Sequence, residues 1–565
     1  MLQIISGKFF KSDQLHTHQG QGIFYSNYSW NLPIETCIGT IEPVDSHGDI
    51  TTYTFKYVNK LEKRPGSILI RTGDSTIVEH MKLLFSFFLK CTVDNDRNIV
   101  ELNTRQSKRN LNDDVIPREF LDRNFVTKIQ GNIEETKAFA EFIYKVIGLE
   151  REKYKKLITC IKNYNNALQA LNYNFDLAYS MLVYCLEALC QSFDEYNPIW
   201  GDYPDKAKRP LDKIFDTLDQ EVADNIKSIL IEDSHLKLQK RFQHFIISNL
   251  QDDYFINLAI NIKNPLKHSE VEQVLLNAYN LRSRYVHSLE QVMKQLKNSS
   301  FSNGDVFYWQ NNAYLTFKGS VRLTHHIILN FFTNQEYLEK EDYEWDSDLP
   351  GTIEVQLSEK YWLANTDGFL PEHTIYKING FLVQLEKALF FNQALTDLSE
   401  LMCLLEQLMP TTPKRYKVQM FVMYELYNGL LNESLRSVNY NKVTNAHIAL
   451  LQENTIEILL LKSLSVWEDS EGKALSCEEI FKSYEKNKFK ENRLNLPDFL
   501  ECIVRIQIAN MFMQEGNVEK YNEWIINAIL NIPGNLKLQN LLFEMKEQEK
   551  YIDMKEFIEL ISKHQ

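Results

Sequence analysis

The stretch "YNLRSRYVHS", residues 279–288, decides how this chain is read. It sits inside "VEQVLLNAYNLRSRYVHSLEQVMKQL", residues 271–296, where apolar residues recur at steps of three and four. That period predicts a helix with one buried face. Leu275, Tyr279, Val286, Leu289, Met293 and Leu296 make up the stripe, and Arg282 stands on it where an apolar residue belongs. A cation cannot be buried there alone, so Arg282 needs a carboxylate or a bound anion. A second segment, "LAYSMLVYCLEALC", residues 177–190, is apolar on almost every side and carries one charge, Glu187. Its composition predicts a central helix whose lone carboxylate meets the lone guanidinium.

Two readings of Arg282 follow from the chemistry. In one, a buried Arg–Glu pair fixes the register of two helices. In the other, Arg282 and His287 face a cleft and handle a phosphate. The guanidinium grips phosphate through a planar fork and stays charged, and imidazole moves protons near neutral pH. Positions five apart on a regular helix diverge by about 140°. Arg282 and His287 therefore converge only through side-chain reach, a local irregularity or a second subunit. Ser283 and Arg284 share the face of His287 and read as supporting contacts.

The totals narrow the classes. A chain of 565 residues exceeds one ordinary core, so several domains are expected. A net charge of −14 argues against a general nucleic-acid binder. The acid excess spares the middle, however: residues 151–335 carry 21 Lys and Arg against 20 Asp and Glu. A polyanion is tolerable there. Eight scattered cysteines without a CxxC, with Cys185 and Cys190 inside an apolar helix, suggest buried thiols and a reducing, cytoplasmic location. No signal-peptide pattern and no apolar run of membrane-spanning length is present, so no membrane partner is expected. Phosphate-loop, dinucleotide-binding, HExxH and GxSxG patterns are missing. His16 and His18 form an HxH without further ligand spacing, and His325 and His326 diverge on a helix.

Period-two stretches such as "ITTYTFKYV" (50–58) and "GSILIRT" (66–72) predict a β-rich domain over residues 1–118, with "TGDSTIVE" (72–79) as a turn and 106–118 as a linker. Helical periodicity dominates 119–335, interrupted by apparent loops at 194–213 and 298–312. An acidic linker, 336–365, follows, and 366–565 reads as about eight helices in hairpin rhythm. There, "IQIANMFMQEGNVEKYNEWIINAILNIPGN" resembles one tetratricopeptide repeat, with Ala509, Phe512, Gly516, Ala528 and Pro533 at its offsets and Tyr521 in place of a small residue. The expected fold is thus α+β, multidomain and mostly α.

"YNLRSRYVHS" resembles the RxxxxH signature of HEPN domains, in the "RS-x-x-VH" form of the Apea-like group. "CLEALCQSF" (185–193) is similar to that group's first core helix, and the polar "KLQKRFQHF" helix lies between the two. The resemblance covers about residues 150–335. It implies an α-helical bundle that forms a homodimer and cuts RNA without metal or other cofactor, leaving 2′,3′-cyclic phosphate ends, in abortive antiphage defence. Arg282 and His287 would be its catalytic pair: His287 the acid/base for the RNA's own 2′-hydroxyl, Arg282 the stabiliser of the charged phosphorane. Glu187, Ser283 and Arg284 would support them. The C-terminal array would bind a protein partner or trigger. The alternative within the same resemblance is an inert dimer scaffold that binds RNA or a nucleotide.

Overall fold

Strict alternation draws Thr51–Glu62 into a strand whose Tyr53, Phe55, Tyr57 and Leu61 point to one buried face. The computed structural model describes residues 1–44, 48–63, 73–105, 116–203, 205–232, 234–350, 355–464 and 473–564. It divides into two units, Met1–Glu354 and Val355–Gln565. The described residues are mostly helical, with a small antiparallel sheet.

The strands in chain order are β1 (Leu15–Ser26), β2 (Tyr28–Ser29), β3 (Ile34–Thr36), β4 (Gly39–Val44), β5 (Thr51–Glu62), β6 (Val93–Asp94), β7 (Ile129–Gln130), β8 (Val306–Trp309) and β9 (Asn312–Leu315). Five form the main sheet in the order β3-β4-β5-β1-β6. Its spine is the β1–β5 pair, in register from Leu15 opposite Glu62 to Ser26 opposite Thr51. "TGDSTIVE" is not a turn. Asp74 precedes a helix, Ser75–Leu89, whose Ile77, Val78, Met81, Leu84 and Phe85 are buried. Gly22 of β1 lets this helix approach the sheet, because a Cβ there would lie 2.2 Å from Val78 Cγ2. The expected "GSILIRT" strand lies outside the described residues, as do 106–115 of the expected linker.

Residues 1–118 and 119–335 do not keep separate cores. One hydrophobic cluster runs from Met1 through Phe24, Phe85, Phe142, Leu186 and Ile327 to Trp345. In the helical part, Phe175–Phe193 is central, packed by Arg151–Ala170, Ser234–Ser248, Val271–Ser288 and Phe317–Thr333. The two expected loops are partly ordered. Asp205–Phe215 is a helix. β8 and β9 form a hairpin whose tip places Gln310 and Asn311 at φ of 47° and 61°, the turn geometry that matches strand twist.

The acidic stretch 336–350 is likewise no solvated linker. Trp345 is fully buried, and two of the carboxylates, Glu341 and Asp348, pair with buried cations of unit 1. Asp348 holds Arg151 at 2.9 Å and Lys155 at 3.2 Å, and Glu341 lies 3.6 Å from Lys8. These partners precede the stretch by hundreds of residues, which is why local composition suggested solvent.

Unit 2 contains ten α-helices among the described residues, two more than hairpin rhythm suggested. The repeat-like segment folds as helices Asp498–Gln514 and Val518–Leu530 around Gly516, whose φ is +77°. Tyr521 is fully buried, and its hydroxyl donates to the Lys550 carbonyl at 2.8 Å, so the larger ring is used rather than merely tolerated.

Candidate functional site

Leu275, Tyr279 and Leu281 bury the motif helix, Val271–Ser288, against the central helix. Its amphipathic stripe reaches Arg282, and there the apolar partner surface gives way to Glu187. The guanidinium Nη2 lies 2.9 Å from Glu187 Oε2, with the two side chains 16% and 5% exposed. The cation on the apolar stripe and the carboxylate of the apolar segment 177–190 do meet. The fork is not fully used: Arg282 Nε is buried and makes no hydrogen bond.

The surroundings are dry. Tyr279, one turn before Arg282, is 3% exposed and packs its ring 5.6 Å from Phe242. Burial, then the neighbouring Glu187 charge, pushes its hydroxyl up to about 12. Cys190, fully buried, donates its thiol to the Glu187 carbonyl and is also pushed up to about 12 by burial and the Glu187 charge. It is an inert packing group, not a nucleophile.

The helix does not continue to Leu296 as the periodicity predicts. It ends at Ser288, where Leu289 adopts φ 55° and its N–H donates to the Tyr285 carbonyl while that of Glu290 donates to Arg284. This left-handed cap closes the last carbonyls. The chain then turns onto the start of the central helix: Val292 N–H and Lys297 Nζ both bond Asp176, at 2.5 Å each. Val292 and Leu296 are buried by that turn, whereas Val286 and Leu289 are left 49% and 78% exposed.

His287 therefore stands exposed in the last helical turn. It makes no hydrogen bond or ion pair among the described residues. Ser283 is half-buried, and exposed Arg284 lies 3.8 Å from exposed Glu290, a weak surface pair. The structure brings Arg282 to Glu187. It does not bring His287 to Arg282 within one chain: one side chain turns inward and the other outward, as the helical spacing requires.

His325 and His326 are packing groups. His325 stacks on Phe87 with ring centroids 4.5 Å apart and bonds its carbonyl, and His326 packs on Tyr254. His18 lies 3.4 Å from Asp74. Among the described residues no group of His, Cys, Asp and Glu is arranged to hold a metal ion, and no helix is long and apolar enough to cross a membrane.

One feature escaped sequence reasoning. An open cavity in unit 2 is walled by residues from at least three helices, among them Arg415, Gln419 and Glu457. Their spacing along the chain carries no periodic signal.

No family model, no curated protein and no solved structure matches this chain.

Proposed function

We propose that residues 119–335 act as a metal-independent endoribonuclease of the HEPN type. The observation that carries this reading is the Arg282–Glu187 pair beside an exposed His287. A guanidinium tethered on one side by a buried carboxylate keeps an unused N–H, and a proton-transfer group is displayed at the adjacent helix end. Arg282 supplies charge stabilisation for a pentacoordinate phosphorane, and His287 moves the proton of the attacking 2′-hydroxyl or the leaving 5′-oxygen. Clipping then leaves a 2′,3′-cyclic phosphate.

The outward turn of His287 is met by a homodimer. Val286 and Leu289 form an exposed apolar margin around it, and a two-fold axis near this helix end would place both arginines and both histidines along one groove. In this reading the cell uses the enzyme as an antiphage effector, with unit 2 receiving a partner or trigger. The test is incubation of the purified chain with RNA in EDTA, followed by end-group analysis. Cyclic phosphate ends lost in His287→Ala support the reading. Cleavage that needs magnesium rejects it.

The same ion pair favours a second reading, an inert scaffold in which Arg282 and Glu187 only fix helix register. RNA binding without cleavage by folded protein would select it.

A further inference from the structure

Unit 2 holds a cavity of about 700 Å³, within the size range of small-molecule sites. Its wall chemistry plays no part in the nuclease reading. Gln419, on the helix Lys414–Leu430, is 8% exposed and donates Nε2 to Glu457 Oε1 at 3.1 Å. A carboxylate accepts and cannot donate, so this bond fixes the amide orientation and directs Oε1 elsewhere. Oε1 is buried and accepts no hydrogen bond. Glu457, 9% exposed in the first turn of the helix Ile456–Ser463, makes no ion pair among the described residues. Two hydrogen-bonded residues of the lining thus offer an amide oxygen without a donor and a carboxylate without a counter-charge among the described residues.

The same cavity has unspent cations. Of its four basic residues, Lys414 and Lys488 are paired with Glu453 and Glu501, each at 2.7 Å. Arg415 and Arg493 are exposed and have no carboxylate partner among the described residues. With Glu453 paired to Lys414, exposed Glu479 is the opposing rim charge that remains. Ile456 and Ile480 supply apolar wall. A ligand that satisfies this lining carries adjacent N–H donors, a flat or apolar part, and an anion.

We propose that this cavity binds a guanine nucleotide. The N1–H and N2 amino group of guanine are neighbouring donors with no acceptor between them, and they fit a carboxylate beside an amide oxygen. Adenine and cytosine set an acceptor beside their amino group, which would face the Glu457 charge, and uracil offers a single donor. The base lies against Ile456 and Ile480, and Arg415 and Arg493 take the phosphates.

The test is equilibrium dialysis of the full chain with GMP and GDP, beside AMP, inorganic phosphate and an arginyl-glutamate dipeptide. GMP and GDP are expected to bind, and Glu457→Gln to weaken them roughly tenfold or more by removing the charge-assisted donor pair. The double variant Arg415→Ala/Arg493→Ala is expected to weaken GDP but leave guanosine binding unchanged. Both arginines are exposed, so this variant tests the site even if Glu457→Gln perturbs folding. Equal binding of AMP and GMP overturns the guanine assignment. Phosphate binding as well as GMP overturns a role for the base, and preference for the dipeptide, or no nucleotide binding, overturns the proposal.

Discussion

Arg282 and Glu187, from two different helices of unit 1, meet at 2.9 Å in a largely buried contact. Removing one partner leaves the other charge desolvated. Glu187→Ala is expected to lower the stability of unit 1 by about 3 kcal/mol. Replacing both residues, as Glu187→Leu with Arg282→Met, should recover most of that loss, because apolar side chains of similar size suit the stripe. Urea unfolding of the three variants checks this. A double variant as unstable as the single one would show that the pair is held by more than its own charges.

His287 is exposed, so its loss should separate activity from folding. His287→Ala is expected to change stability by less than about 0.5 kcal/mol. If His287 is the acid/base, RNA cleavage should fall about 10²–10⁴-fold, and slowed growth on expression should be relieved. Full cleavage by folded His287→Ala would remove the nuclease reading.

The acidic stretch gives a prediction about where unit 1 ends. A chain stopped at 350 keeps Trp345 and Asp348, whereas one stopped at 335 exposes Arg151, which is 3% exposed in the folded chain, without its carboxylate. Loss of a buried Trp alone costs about 3–5 kcal/mol. The shorter chain is therefore expected to be insoluble or to melt far below the longer one. Equal melting of the two would return 336–350 to the status of a tether.

Two buried histidines set a pH dependence. Burial, then the nearby Lys90 charge, holds His325 well below its usual range, and burial with Arg322 lowers His326. The unfolded chain binds these protons near pH 6.5 and the folded chain only at lower pH. Stability should therefore be level above that point and fall as pH drops from about 6.5 towards the folded values. His325→Phe keeps a ring on Phe87 but loses the bond to its carbonyl. Urea midpoints at pH 7.5 and 5.5 should draw closer together in this variant, His326 keeping its share of the difference, while starting about 1 kcal/mol lower at pH 7.5. An unchanged slope would assign the acid sensitivity to other groups.

What the sequence makes legible is what period and local chemistry encode. The motif helix, the central helix and the meeting of Arg282 with Glu187 follow from stripes and from one misplaced charge on each. The end of the motif helix does not, because Leu289 has no glycine to announce a left-handed cap, and the stop comes from Asp176 drawing Val292 and Lys297 sideways. The single core of residues 1–345 is hidden for a similar reason. A change from period two to three-and-a-half marks a change of element, not a boundary between cores. The acid run reads as solvated because Lys8, Arg151 and Lys155 are remote in sequence. The cavity residues of unit 2 are invisible because each is an ordinary polar residue on its own helix.

The packing of Trp345 and Asp348 against residues near the start of the chain also sets a timetable for synthesis. Gln3 and Lys8 bond the carbonyl of Leu149, Gln3 accepts from Arg151, and Arg151 in turn waits for Asp348. On the ribosome, unit 1 cannot close until residue 350 has left the exit tunnel, so the motif helix is made well before the frame that holds it is complete. Between the synthesis of His287 and the emergence of residue 350, a nascent chain of this protein carries Arg282 and His287 already polymerised but not yet locked in place, and a premature stop before 350 yields an unfinished frame rather than a free-standing bundle.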